Sequence, residues 1–87
     1  MKQFAFYLKP YDRQIRRQSL IFFTVIVSDR IENAVQKFAE LYGSDYCGMV
    51  KIKEQQYHVF YTRGRAPEKE EFMYIVNENE RLHFNDR

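Results

Sequence analysis

Three side chains in this 87-residue chain carry a thiol or an imidazole: Cys47, His58 and His83. A ribonuclease-like use would take His58 as general acid–base, with Tyr61, Arg63 and Arg65 beside it. The arginines would stabilise charge on a phosphorane-like transition state. Strand alternation weakens that set, because His58 falls on the opposite side of a strand from Tyr61 and Arg63. A structural histidine in a sheet is the simpler reading. Cys47, His58 and His83 lack metal-site spacing, and Cys47 reads as a small buried or half-buried side chain. The chain has no Gly-rich phosphate loop, no G-x-S-x-G and no paired carboxylates in a recognisable frame. No metal, cofactor or catalytic residue is therefore expected, and an enzyme is the third of three readings.

A second constellation is cationic. Lys9, Arg13, Arg16 and Arg17, with Tyr11 among them, lie in the stretch 9–18, which has few apolar residues. Lys and Arg contact phosphates, and Tyr stacks on a base. Lys51, Lys53, Arg63 and Arg65 would extend such a surface to DNA or RNA. The competing reading is a solvated loop, the default state of exposed charge. The RNP1 pattern of RNA-binding sheets is absent. Net charge is only +2. Residues 1–65 hold eleven Lys/Arg against six Asp/Glu, or +5, and residues 66–87 hold three against six, or −3. This polarity suits an anionic partner, a tail neutralising its own body, or head-to-tail association.

The elements that must position these groups follow from periodicity. Gln3–Leu8 alternates as a strand, closed by Pro10. Leu20–Val27 is rich in β-branched and aromatic residues, and strict alternation makes both of its faces apolar. Ile21, Phe23, Val25 and Val27 share one face, and Leu20, Phe22 and Ile26 the other. Such a strand is expected in the middle of a sheet, covered on both sides. Ser28 or Asp29 is expected to cap a helix over about Arg30–Tyr42. Ile31, Val35, Phe38 and Tyr42 form its apolar stripe, and Gly43 stops it. Tyr46–Lys53 and Gln56–Arg63 read as a hairpin around Glu54-Gln55. A two-residue turn would pair Ile52 with Tyr57, Val50 with Val59 and Gly48 with Tyr61 on the helix side. Lys51 with His58 and Met49 with Phe60 would fall on the other side, with Cys47 near Thr62. After the loop 64–71, Phe72–Val76 and Arg81–Phe84 are expected as two strands joined by Asn77–Glu80, although Pro67 and the glutamates after it would also suit a helix start.

Length and composition set the frame. The chain reads as one domain over residues 1–87, with 45% hydrophobic residues and an unusual 17% aromatic. The longest apolar run is far short of the roughly 20 residues a spanning helix needs. One cysteine and the absence of a leader-like N-terminus point to a cytoplasmic protein away from membranes. The expected fold is α+β: an antiparallel sheet of about four to six strands, ordered β-β-α-β-β and then a hairpin, with one helix on one face. One helix leaves the other face apolar and in need of a cover, either a second copy stacked on it or the C-terminal segment folded back over it. The favoured function is thus a non-catalytic interaction module, a homodimer or the binder of a protein partner, using Leu20, Phe22, Ile26, Met49 and Phe60. Nucleic-acid binding through the basic loop comes second.

Overall fold

The computed structural model describes residues 1–9 and 20–79. They form five strands and one helix: β1 (Lys2–Lys9), β2 (Ile21–Ser28), α1 (Ile31–Tyr42), β3 (Asp45–Lys53), β4 (Gln56–Arg63) and β5 (Glu70–Asn79). The strands make one antiparallel sheet in the order β2-β1-β5-β4-β3, so the α+β class holds. β5 takes the middle, between β1 and β4, and puts β2 at an edge. The most apolar segment is therefore not the central strand. Its two-sided apolarity reflects an edge strand that packs on the helix with one face and leaves the other open.

α1 forms where the apolar stripe lies. Ile31, Ala34, Val35 and Phe38 are buried, and Glu32 sits in the first turn, where its charge favours the helix dipole. Arg30, not Ser28 or Asp29, is the N-cap residue, and its side chain makes no capping bond. Asp29 instead accepts hydrogen bonds from Asn33 Nδ2 at 2.8 Å and Ser28 Oγ at 3.2 Å. The Asn33 bond, above all, holds its carboxyl below the usual range. At the other end Gly43 adopts φ 63°, a left-handed conformation that a side chain would strain, and closes the helix.

The core is aromatic, and Phe38 is its centre. Its ring stacks on Phe6 at 4.5 Å, with Tyr61 and Tyr74 each at 4.8 Å and Tyr42 at 4.7 Å. Phe4, Phe6, Val35, Phe38, Val59 and Val76 are at most 1% exposed. Tyr61 crosses the layers: its hydroxyl donates to the Val35 carbonyl of the helix at 2.9 Å. This bond gives a buried phenol its partner and ties sheet to helix.

Irregularities in two strands overturn the strict alternation. In β2 the register passes from Phe6↔Thr24 to Tyr7↔Phe22, so Phe23 is an extra residue, a β-bulge. Phe23 and Thr24 then both face the helix. Phe23 packs on Phe38 at 5.6 Å and Tyr42 at 5.0 Å, and Thr24 Oγ1 accepts from the Tyr42 hydroxyl at 3.2 Å. Phe22 joins Val25 and Val27 on the open face, and Ile26 is buried, 4% exposed. In β3 the two-residue turn at Glu54-Gln55 forms, but Ile52 is bulged out between Lys51↔Tyr57 and Lys53↔Gln56. One inserted residue moves the side chains beyond it to the opposite face, here as far as Gly48, because a further register shift at Cys47 returns Tyr46 to the helix side opposite Tyr61. Met49 therefore pairs with Val59 on the helix side, and Val50 pairs with His58 on the open side. Cys47 Sγ does lie 3.5 Å from Thr62 Oγ1. β5 also runs through Asn77 to Asn79 instead of turning there, and residues 68–71 form no helix. The expected strand Arg81–Phe84 lies outside the described residues.

Phe38→Ala should cost about 3–5 kcal/mol, the usual loss for a buried aromatic, read as a lower urea midpoint. Burial raises the ionisation of Tyr61, Tyr57 and Tyr74 above the ordinary tyrosine range, with Glu78 adding to the rise at Tyr57. The folded state then holds protons that the unfolded chain gives up near pH 10. Stability should be insensitive to these groups below about pH 9 and fall as pH rises through about 10. Urea midpoints at the two pH values test this, and Tyr61→Phe should flatten the decline.

Candidate functional site

The sheet face turned away from α1 is the candidate site. Its residues can be read in rows across the strands. One row runs through all five strands, from Phe22 through Tyr7, Ile75 and His58 to Val50. Beside it runs Lys9–Met73–Phe60–Gly48, and on its other side Val25–Ala5–Asn77–Gln56–Lys53. Tyr7 and Phe22 meet edge to face with ring centroids 5.6 Å apart. Gly48 has φ 143°, a conformation open essentially to glycine, and lies opposite the Phe60 ring.

No described element covers this surface. Phe22 is 56% exposed, Val50 54%, Val25 41%, Val27 40% and Phe60 38%. These are large side chains in adjoining rows, not scattered single residues, and contiguity is what marks an interaction surface. Polar contacts on the face are few. Gln56 Nε2 donates to Asn77 Oδ1 at 3.0 Å. The charged residues whose register places them on it are Lys9, Lys53, Asp45 and Glu71, two of each sign. All of them sit toward its ends.

The expected association residues divide. Phe22 and Phe60 lie on the open face, while Leu20 precedes β2 and is exposed. Ile26 and Met49 do not belong there: the bulges at Phe23 and Ile52 turn both to the helix side, Ile26 into the core and Met49 against it. Alternation missed Tyr7, Val25, Val50, Met73 and Ile75 as members of the face. For Val50 the signal could not have been found without knowing the bulge. Tyr7 and Ile75 were reachable from parity in β1 and β5.

Of the expected cationic set, Lys9 and Lys53 lie at the ends of this face. Tyr11, Arg13, Arg16 and Arg17 lie outside the described residues. Lys51 pairs with Glu54 at 3.4 Å on the helix side of β3. Arg63 donates to the Tyr42 carbonyl at 3.3 Å, beside the helix C-terminus, and lies over the Phe72 ring at 5.2 Å. It serves to cap α1, where a cation suits the dipole. Arg65 is exposed in the loop after β4. His58 lies on the open face, with Tyr61 and Arg63 on the other, so the ribonuclease-like set is split by the sheet. Among the described residues no group of three or more His, Cys, Asp or Glu side chains is placed to hold a metal ion. No described helix is long and apolar enough to cross a membrane.

Comparison with family models, with curated proteins and with solved structures gives no match. The chemistry of the face is thus the basis for reading its use. Open-face side chains should matter little to folding: Val50→Thr is expected to change stability by no more than about 1 kcal/mol, the scale of cross-strand pairs. Urea unfolding of dilute protein checks this.

Proposed function

We propose that the protein is a small non-catalytic interaction module that associates through its open sheet face, with a second copy or with a protein partner. The observation that carries this reading is the row Phe22–Tyr7–Ile75–His58–Val50, flanked by Phe60, Met73, Val25 and Val27, which no described element covers. Apolar side chains, aliphatic and aromatic, fill the middle of the surface, and its charges balance. That composition suits another protein's apolar surface. A phosphate backbone is attracted by clustered Lys and Arg, which the described residues do not supply on this face. Residues 1–9 and 20–79 would then act as a platform, with α1 and the aromatic core holding the strands in register.

Phe60→Glu places a charge in the middle of this surface at a partly exposed position. It should lower the solution mass of the assembly by half or more in light scattering while leaving the circular dichroism spectrum unchanged. An unaltered mass would remove the face from the self-association reading. A salt series with DNA and RNA oligonucleotides should show no binding that falls steeply with ionic strength; such binding would favour the basic loop instead.

A further inference from the structure

We infer that two copies of this chain pair edge to edge through β2, antiparallel about a two-fold axis, to make one ten-stranded sheet with both helices on the same side. The inference rests on the reading of the protein as an association module but uses a different surface, the edge of the sheet instead of its face.

The two edges of the sheet are built differently. β3, at one edge, carries Asp45, Lys51 and Lys53, a glycine at Gly48 with φ 143°, and register breaks at Cys47 and Ile52. Charges and bulges of this kind keep a sheet edge from recruiting another strand. β2, at the other edge, reads Ile-Phe-Phe-Thr-Val-Ile-Val-Ser and has no charge, proline or glycine in its eight residues. Its bulge at Phe23 turns an aromatic onto the helix instead of a charge toward the edge. Lys37 reaches it at its C-terminal end, where Nζ donates to the Val27 carbonyl at 2.9 Å in an exposed bond. The rest of the outer edge pairs with no described strand.

The occupant follows from charge and symmetry. A strand without charges meets no like charge when a copy of itself lies alongside in any register, whereas β3 carries three charges and two register breaks along the edge it would have to pair. A closed pair of identical edges is related by a two-fold axis and is therefore antiparallel. The partner strand must also be apolar on the open side, because Phe22, Val25 and Val27 border the seam there. β2 itself meets that requirement. Pairing joins the two open faces into one surface twice as wide, and stacking of such surfaces would give a closed assembly of four.

The test uses the chain's single cysteine. Cys47 is exposed and lies in β3, the strand farthest from the seam. A nitroxide on Cys47 measures the distance between copies by pulsed electron–electron resonance. In an edge pair the two β3 strands are nine interstrand spacings apart, about 43 Å at about 4.8 Å each. In a face-to-face stack the sheets are about 10 Å apart, and two β3 strands lie within about 25 Å. The measurement is made on Phe60→Glu, which blocks stacking but sits three strands from the seam. The expected result is a dimer with a distance near 43 Å, lost on adding Val25→Lys beside the seam. A monomeric Phe60→Glu protein, or a dimer with only the short distance, overturns edge pairing. If wild type and Phe60→Glu are both dimers near 43 Å, edge pairing stands and face stacking falls. If wild type is a dimer and Phe60→Glu a monomer, the reverse holds. Should Phe60→Glu not fold, wild-type protein lacking any component near 43 Å overturns the inference equally.

Discussion

One helix cannot cover both faces of a sheet, and most of this structure follows from that constraint. α1 has twelve residues, about 18 Å at 1.5 Å per residue. It covers its side of the sheet with four buried side chains and the half-buried Tyr42. To do so with so little helix, the protein uses large rings. Phe38 meets Phe6, Tyr61, Tyr74 and Phe23, which come from β1, β4, β5 and β2. The high aromatic content is thus concentrated where area per residue matters most. What the helix does not cover is left open by the described residues.

The same constraint explains the bulges at Phe23 and Ile52. In β2 the extra residue turns Phe23 and Thr24 toward the helix together and fills space over Phe38 and Tyr42. In β3 the bulge at Ile52 delivers Met49 to the helix side, beside Val59. Each bulge adds packing on the covered face. Each also sends another apolar residue to the uncovered one, Phe22 in β2 and Val50 in β3. The open apolar row is therefore tied to the way the core is built. It cannot be made polar by shifting a strand, because the register on the helix side holds the strand in place.

Polar groups divide the layers in a similar way. Arg63 and Tyr61 reach from β4 to the helix, one to the carbonyl of Tyr42 and one to that of Val35. Lys2 and Tyr57 meet at Glu78, with Lys2 Nζ 3.1 Å from Oε2 and the Tyr57 hydroxyl donating to Oε1 at 3.3 Å. These contacts lie on the helix side of the sheet. Lys2 and Arg63 thus serve contacts on the helix side, and among the described residues the open face keeps a balanced, sparse set of charges at its ends.

Local elements were legible from residues alone. The helix from Ile31 to Tyr42, its glycine stop, the first two strands and the hairpin turn at Glu54-Gln55 all follow from periodicity and turn chemistry, which act over a few residues. The uneven cover was legible too, since one amphipathic helix and a two-sided apolar strand cannot be reconciled within a single layer. Strand order was not. Whether β2 or β5 takes the centre depends on pairing between residues far apart in the chain, and both are apolar enough to qualify. Nor were the bulges, because one inserted residue leaves no compositional mark and only helix-side packing selects it. Through those bulges tertiary structure decided that Ile26 and Met49 belong with the core and that Val50 joins Phe22 and Phe60 on the open face.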